Sequence, residues 1–197
     1  MSKPIPPRIG VLAIQGNYAS HSAALTEAGA DPVEVRKPTE LAGLDALVLP
    51  GGESTTMLRF LDKHRFFDLL LEFCASKPVF GTCAGAILLA REVLNPPQRS
   101  LGLLDAVVER NAYGRQIDSK IVTAETALPG GPLEMVFIRA PRIVQTGPSV
   151  EVLARRDSFP VLVRQGTLMA ATFHPELSID RRVHRLFVDS VIASQQK

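Results

Sequence analysis

The Gly-Thr-Cys-Ala-Gly turn at residues 81–85 constrains the fold of this chain more than any other feature. A short apolar segment (78–80) precedes it and an apolar, helix-favouring segment (86–90) follows it, so the pattern predicts a strand, a sharp turn and a helix. A nucleophile elbow needs small residues on both sides of its nucleophile, because the turn crowds the backbone. Cys83 would lie at the apex, at a helix N-terminus where unpaired N–H groups favour a thiolate.

Burial is the competing interpretation, because free cysteine is among the most buried residue types. The two glycines and the flanking strand and helix patterns favour a nucleophile at Cys83 instead. The other cysteine, Cys74, lies in a segment (66–74) where phenylalanine and leucine recur at helical spacing. We therefore predict that Cys74 belongs to the core.

Composition places the chain among ordinary globular proteins. Its 197 residues, 46% hydrophobic and 21% charged, predict one domain spanning residues 1–197. The net charge of +2 gives no reason to expect nucleic acid or a membrane as partner. Two cysteines make no disulfide framework, and the start of the chain lacks the apolar core of a signal peptide. No apolar run approaches the ~20 residues that cross a bilayer, so we expect a cytoplasmic protein.

The first half of the sequence alternates between strand and helix patterns. Strands are expected at 8–14, 32–36 and 44–49 and from Pro78 onward. Helices are expected over 17–28, from a cap at Ser54 or Thr55 towards Cys74, and from Cys83 to just before Asn95. This alternation predicts an α/β fold with three layers, in which helices cover both faces of a mainly parallel twisted sheet. Ligands of such sheets bind at the carboxyl ends of the strands.

The second half predicts an antiparallel extension. Short strand patterns recur at 106–109, 117–123, 135–138, 150–153, 161–164 and 168–173. Gln165 and Gly166 would form a tight turn between the last two strands. A final helix would follow residue 176, with Ser178 as its N-cap and an apolar face formed by Ile179, Val183, Leu186, Phe187 and Val191.

A His-Pro-Glu motif at the end of the last strand supplies what a cysteine nucleophile needs. His174 can act as a general base and acid, and Glu176 can hold its imidazole in the right tautomer. Taken alone the motif is a weak signal; it gains weight from the elbow. The remaining histidines, His21, His64 and His184, have no such partner nearby in the sequence, so we expect them at the surface or the rim. No metal or other cofactor is expected, because cysteines and histidines form no zinc-like spacing.

The Gly-Gly-Glu-Ser segment at residues 51–54 follows another predicted strand. It lacks the lysine and the spacing of a phosphate-binding P-loop, so it is either a plain strand-to-helix turn or part of the site. In a cysteine hydrolase, an N–H of this turn could form an oxyanion hole with the N–H of Ala84, which follows the nucleophile.

Taken together, these segments resemble those of the class I, triad-type glutamine amidotransferases, most closely the glutaminase subunits of pyridoxal phosphate synthases. The similarity runs nearly end to end through GVLAIQG (10–16), LPGGESTT (49–56), GTCAG (81–85), VERNAYGRQ (108–116), FIRAP (137–141) and FHPE (173–176). Many related glutaminases of other synthases carry a glutamine shortly after the elbow. Here Ala86 and Ile87 follow it, which favours the vitamin B6 branch.

The resemblance implies hydrolysis of L-glutamine to L-glutamate and ammonia through a glutamyl thioester. It implies a catalytic triad of Cys83, His174 and Glu176 and an oxyanion hole at Gly52 and Ala84. The implied partner is a separate synthase subunit that receives the ammonia. It would be a TIM-barrel protein in a ring complex, and its docking would stimulate the glutaminase. Substrate contacts carry over to these residues: Gly52, Glu53, Ser54, Arg110, Ile138 and Arg139.

Three questions stay open at the level of sequence. Arg110, Arg139 or Arg115 could bind the substrate carboxylate, since each offers two parallel donors. The chain could be a cysteine hydrolase acting on another substrate, although such relatives often place histidine directly after the nucleophile, where this chain has Ala84. It could also serve a different synthase, or be a binding subunit without activity, against which the complete triad argues.

Overall fold

A computed structural model of the chain describes residues 5–112 and 119–196. The strands are β1 (Arg8–Leu12), β2 (Asp31–Val35), β3 (Ala46–Leu49), β4 (Val79–Thr82), β5 (Ala90–Leu94), β6 (Leu104–Glu109), β7 (Lys120–Ala124), β8 (Leu133–Phe137), β9 (Arg142–Thr146), β10 (Glu151–Arg156), β11 (Phe159–Gln165) and β12 (Leu168–Ala171). The helices are α1 (Tyr18–Glu27), α2 (Ser54–Lys63), α3 (Phe67–Ser76), α4 (Ala84–Leu89) and α5 (Arg182–Ser194).

The central sheet has seven strands in the order β10-β11-β12-β4-β3-β1-β2. Strands β12, β4, β3, β1 and β2 pair in parallel, while β10, β11 and β12 pair antiparallel. The turn between β11 and β12 is formed by Gly166 and Thr167, one residue later than predicted, because Gln165 still belongs to β11 and pairs with Leu168. Two smaller sheets, β5-β6-β9 and β7-β8, complete the described part of the fold. The predictions of a mainly parallel sheet and of an antiparallel extension are confirmed.

Side chains alternate between the two faces of the central sheet, and each face has its own core. On one face Leu47 and Leu49 of β3 pack with α2, α3, α4 and the β5-β6-β9 sheet. On the other, Ala46 and Val48 of the same strand pack with α1, α5 and the β7-β8 hairpin. This period of two makes three layers, as predicted. Cys74 of α3 is 2% exposed and belongs to the first core, also as predicted.

The helix expected from residue 54 towards Cys74 is two helices. Arg65 adopts a left-handed conformation (φ 51°), and the next N–H, of Phe66, bonds to Leu61 O at 2.7 Å. Because Arg65 N–H also bonds to Asp62 O at 3.2 Å, α2 ends in a Schellman motif. The predicted caps Ser54 and Thr55 are wrong as well, since the N-cap is Glu53.

The helix expected from Cys83 to Asn95 is also shorter than predicted. It ends at Leu89, and the next residues form β5, which pairs in parallel with β6. Strand β9, absent from the prediction, pairs antiparallel with the other side of β6. Pairing with β6 therefore overrides the helical preference of residues 90–94.

The last helix starts later than predicted. It begins at Arg182, and its N-cap Arg181 makes no side-chain cap hydrogen bond. Ser178 instead donates to Glu134 Oε1 at 2.8 Å and accepts from Asp180 N–H at 3.1 Å. Ile179 is 93% exposed because it precedes the helix, whereas Val183, Phe187 and Val191 are buried as predicted.

Within the described residues, no helix is long and apolar enough to cross a membrane. The strand expected over 117–123 corresponds to β7, which begins at Lys120 in the described part of the chain. Residues 113–118, which include Arg115, lie outside the described residues. A single domain over residues 1–197 stays a prediction.

Candidate active site

Four neighbouring parallel strands bring the predicted site segments together. In sheet order, β12, β4, β3 and β1 are followed in the chain by His174, by Cys83, by Gly51 to Glu53 and by Gly16 with Asn17. Because parallel strands end at the same edge of the sheet, these segments meet there. They line one cavity of about 260 Å³, a volume suited to a small molecule.

The backbone at Cys83 is strained, as expected for a nucleophile at the apex of a sharp strand-to-helix turn. Cys83 has φ 48° and ψ −103°, a region that costs a residue with a side chain on the order of 1–3 kcal/mol. A Cβ on Gly81 would stand 2.6 Å from Gly85 O, and a Cβ on Gly85 would stand 1.9 Å from Leu49 O. Both glycines are therefore required for the turn to pack on β3.

His174 and Glu176 form the second part of the site. His174 Nδ1 lies 2.8 Å from Glu176 Oε1, and His174 N–H donates to Val136 O of β8 at 2.8 Å. The Glu176 side chain is fully buried and that of His174 is 7% exposed. Since Nδ1 is held by the carboxylate, Nε2 is the nitrogen left for the nucleophile.

The charges of this pair follow from their contacts. Burial alone would lower the pKa of His174, but hydrogen bonds to Cys83 and Glu176 raise it to about 10. Burial would raise the pKa of Glu176, yet its hydrogen bond to His174 and the nearby His21 lower that pKa to about 2. At neutral pH the pair is an imidazolium facing Cys83 and a carboxylate behind it.

Gly51, which follows β3, lies between the side chains of Cys83 and His174. A Cβ at Gly51 would stand 2.5 Å from His174 Cε1 and 3.3 Å from Cys83 Cβ. No other residue type fits between these two side chains. Gly52 follows with φ 139°, a conformation that also favours glycine.

Glu53 and Arg110 form the polar wall of the cavity. The Glu53 carboxylate caps α2 by accepting from Thr55 N–H at 3.1 Å and from Thr56 N–H at 2.6 Å. Desolvation opposes ionisation of Glu53, but these hydrogen bonds outweigh it and lower its pKa to about 2. Arg110 donates to Thr55 Oγ1 at 2.8 Å and lies 3.5 Å from Glu53 Oε1. The Glu53 carboxylate is therefore ionised at neutral pH, and it lines the same cavity as Cys83.

The structure gathers the predicted site residues that it describes. The cavity is lined by Gly52, Glu53, Ser54, Cys83, Arg110, Ile138, Arg139 and His174, together with Gly16, Asn17, Gly51, Ile87 and Asn111. Glu176 lies behind His174, and Ala84 follows Cys83 as the first residue of α4.

Two predictions about histidine are wrong. His21 of α1 and His184 of α5 are fully buried, not surface residues; only His64 is exposed. His21 Nε2 lies 3.2 Å from Glu176 Oε2, a contact across the sheet that no sequence spacing signals. Asn17 was also missed: it donates to Glu176 Oε1 at 3.3 Å. Within residues 5–112 and 119–196, no three acidic, histidine or cysteine side chains form a group that could hold a metal ion.

Comparison with known sequences gives a consistent picture. A model of the SNO glutamine amidotransferase family matches residues 11–193. The pyridoxal 5'-phosphate synthase subunit PdxT of Koribacter versatilis is 58% identical over 184 residues, covering 93% of this chain and 95% of that protein. The PdxT subunit of Frankia casuarinae is 56% identical over 195 residues, covering 95% and 96%. That of Thermotoga maritima is 49% identical over 186 residues, covering 93% and 99%.

Solved structures agree with this similarity. A crystal structure of a glutamine amidotransferase superposes with a TM-score of 0.86 at 46% identity, covering 93% of this chain and 98% of that chain. A putative GMP synthase protein from Thermoplasma acidophilum has a TM-score of 0.74 at 18% identity, covering 98% of each chain. The second similarity concerns the fold alone.

Proposed function

The chain belongs to the SNO glutamine amidotransferase family, and from that premise we propose how its cavity hydrolyses L-glutamine for pyridoxal 5'-phosphate synthesis. It is the glutaminase subunit of a pyridoxal 5'-phosphate synthase, and its products are L-glutamate and ammonia. One observation carries the assignment of the site: Cys83 and His174 line the same cavity, and Glu176 holds the imidazole from behind at 2.8 Å.

The first half of the reaction releases ammonia. The Cys83 sulfur attacks the carboxamide carbon, and the C=O electron pair moves to oxygen. The N–H groups of Gly52 and Ala84 stabilise that oxyanion. As the C–N bond breaks, the protonated His174 gives its Nε2 proton to the leaving nitrogen, so that ammonia departs and a glutamyl thioester remains.

The second half hydrolyses the thioester. His174, now neutral, takes a proton from water, and the resulting hydroxide adds to the thioester carbon. Collapse of this second tetrahedral intermediate breaks the C–S bond and releases L-glutamate. Glu176 keeps the imidazole in one tautomer throughout both halves. The sum is glutamine plus water giving glutamate plus ammonia.

Opposite charges in the cavity suit the two ends of an amino acid. The Glu53 carboxylate suits the substrate ammonium, and an arginine suits the α-carboxylate. Arg110 is already engaged by Thr55 and Glu53, while Arg139 is exposed at the rim. Arg110→Met and Arg139→Met distinguish the two: the variant with the larger rise in KM has lost the arginine that binds the carboxylate. We propose that Gly52, Ser54 and Ile138 make the remaining contacts with the substrate.

The ammonia is passed to a separate synthase subunit. We further propose that this subunit is a TIM-barrel protein in a ring complex, that docking stimulates the glutaminase, and that both work in the cytoplasm. Glutamate release by this chain, measured with and without its synthase subunit, tests the coupling. Equal rates in the two samples would reject stimulation by docking.

A diazoketone analogue of glutamine tests the nucleophile in the complex with the synthase subunit. Mass spectrometry should find the adduct on Cys83 and none on Cys74, which is 2% exposed and whose pKa burial raises to about 12. The Cys83→Ala variant should release no glutamate, whereas the matched control Cys74→Ala should keep its activity. Adduct formation without modification of Cys83, or full turnover by Cys83→Ala, would contradict the assignment.

A further inference from the structure

Two buried histidines continue the polar chain beyond the triad. His21 of α1 and His184 of α5 are both 0% exposed, although helices α1 and α5 otherwise meet through apolar residues. Buried polar side chains need hydrogen-bond partners to offset their lost hydration. The partners of these two lead step by step to Glu176.

Three short distances define the chain. His184 Nε2 lies 3.1 Å from His21 Nδ1, and His21 Nε2 lies 3.1 Å from Thr82 Oγ1. The same Nε2 atom lies 3.2 Å from Glu176 Oε2. His21 thus contacts both the carboxylate behind the base and the residue immediately before the nucleophile.

The second oxygen of Glu176 depends on this contact. Oε1 is taken by His174 and Asn17, whereas Oε2 has no hydrogen bond of good geometry in the described part of the chain. A terminal carboxylate torsion is broad, so the first oxygen alone does not fix the plane of the group. His21 Nε2 lies 3.2 Å from Oε2 and 3.1 Å from Thr82 Oγ1, so a proton on this nitrogen is shared between the two oxygens and can restrain the carboxylate.

The tautomers follow from electrostatics. Burial is the largest influence on both histidines and lowers the pKa of His21 to about 4 and that of His184 to about 3, so each is neutral at pH 7 and carries one ring proton. An ionised carboxylate only accepts, and a bare Nε2 lone pair 3.2 Å from Glu176 Oε2 would be repelled by it. The favoured tautomer of His21 therefore carries its proton on Nε2, between Glu176 Oε2 and Thr82 Oγ1. His21 Nδ1 must then accept from His184 Nε2–H, and His184 Nδ1 keeps a lone pair. That nitrogen has no partner among the described residues, as expected for an acceptor without a donor.

We propose that His21 is a positioning residue of the glutaminase: its Nε2–H fixes the plane of the Glu176 carboxylate, and His184 fixes the tautomer of His21. The proposal rests on the proposed function, because the carboxylate is aligned for the imidazole that carries the proton. The Nε2–H of His184, the Nε2–H of His21 and the Nδ1–H of His174 are all directed along the chain towards Glu176. Thr82 joins the same imidazole to the elbow strand.

Kinetics of histidine variants in complex with the synthase subunit test this role. His21→Leu removes the donor and should lower kcat about 10- to 100-fold, the loss expected for one hydrogen bond to a charged group, with KM within about twofold. His21→Gln offers an amide N–H near the place of Nε2–H and should recover most of kcat. The same change at exposed His64, His64→Leu, should leave both constants unchanged.

Two outcomes would overturn the proposal: wild-type kcat in His21→Leu, or a His21→Gln protein that folds but is as slow as His21→Leu. Histidine ¹H–¹⁵N NMR of the free wild-type chain gives a second test that needs no variant to fold. It should report the Nε2–H tautomer for His21; an Nδ1–H tautomer would refute the proposal. If the wild type in complex releases no glutamate, the proposed function fails, while the tautomer result stands apart from it.

Discussion

Lowering the pH from neutral towards about pH 4.5 should destabilise the folded chain through His21 and His184. An unfolded histidine titrates near pH 6.5, whereas burial lowers the pKa of folded His21 to about 4 and that of folded His184 to about 3. A histidine whose pKa is lower in the folded state than in the unfolded state stabilises the fold fully above the unfolded pKa. This stabilisation is lost as the pH falls towards the folded pKa. The unfolded state therefore takes up two more protons than the folded state in this interval.

The magnitude follows from the interval itself. One proton of difference costs about 1.4 kcal/mol per pH unit, so each histidine removes about 2.5 kcal/mol between pH 6.5 and about 4.5, and the pair about 5 kcal/mol. His174 does not contribute, because its pKa is raised to about 10 and its stabilisation is complete below pH 6.5. Glu176, whose pKa is lowered to about 2, begins to lose its stabilisation only below the ordinary value near 4.5. Small domains have about 5–15 kcal/mol in total, so the effect is large.

Urea unfolding at several pH values measures this loss. The chain has no tryptophan, so far-UV circular dichroism is the suitable probe. Between pH 6.5 and about 4.5, the free energy of unfolding of His184→Leu should fall by about half as much as that of the wild type. The control Val191→Ala, at another buried position of α5, should be weaker by about 2 kcal/mol at every pH with an unchanged slope. Equal slopes for His184→Leu and the wild type would refute the argument.

Three substitutions test the site itself. Gly51→Ala would place a methyl group 2.5 Å from His174 Cε1, so glutamate release should fall at least about 100-fold, while overpacking should lower the free energy of unfolding by only about 1–3 kcal/mol; unchanged turnover would argue against this geometry. Glu53→Ala removes the N-cap of α2 and should cost about 1 kcal/mol in urea unfolding, and an unaltered free energy would contradict the capping role. Glu176→Gln keeps the shape but not the charge of the carboxylate, so kcat should fall and yet exceed that of Cys83→Ala; equal inactivity of the two variants would count against a purely orienting role.

The sequence contains enough to predict the fold class and the place of the cavity. Apolar runs that end at glycine-rich turns predict parallel strands, and strands of this kind bring their carboxyl ends to one edge. Cys83 could be recognised because its turn needs glycine at 81 and 85, which is a local requirement. His174 and Glu176 are two residues apart, so their pairing could be predicted from the same short segment.

What could not be predicted has no clear signal in the local sequence. His21 and His184 are 163 residues apart, and neither helix carries a sign that its histidine faces the other. The break at Arg65 lacks the glycine that usually marks a Schellman motif. Strand β5 reads as helix by composition, and only its pairing with β6 makes it a strand. Short-range patterns thus specify the site, while long-range contacts decide how it is supported.

At residue 83, the backbone conformation and the proposed reaction favour different residue types. Glycine adopts such a backbone without the penalty of about 1–3 kcal/mol that a side chain incurs there, so the backbone favours glycine where the chemistry demands cysteine. The substitution Cys83→Gly would relieve this backbone penalty and, in the proposed mechanism, would remove the nucleophile.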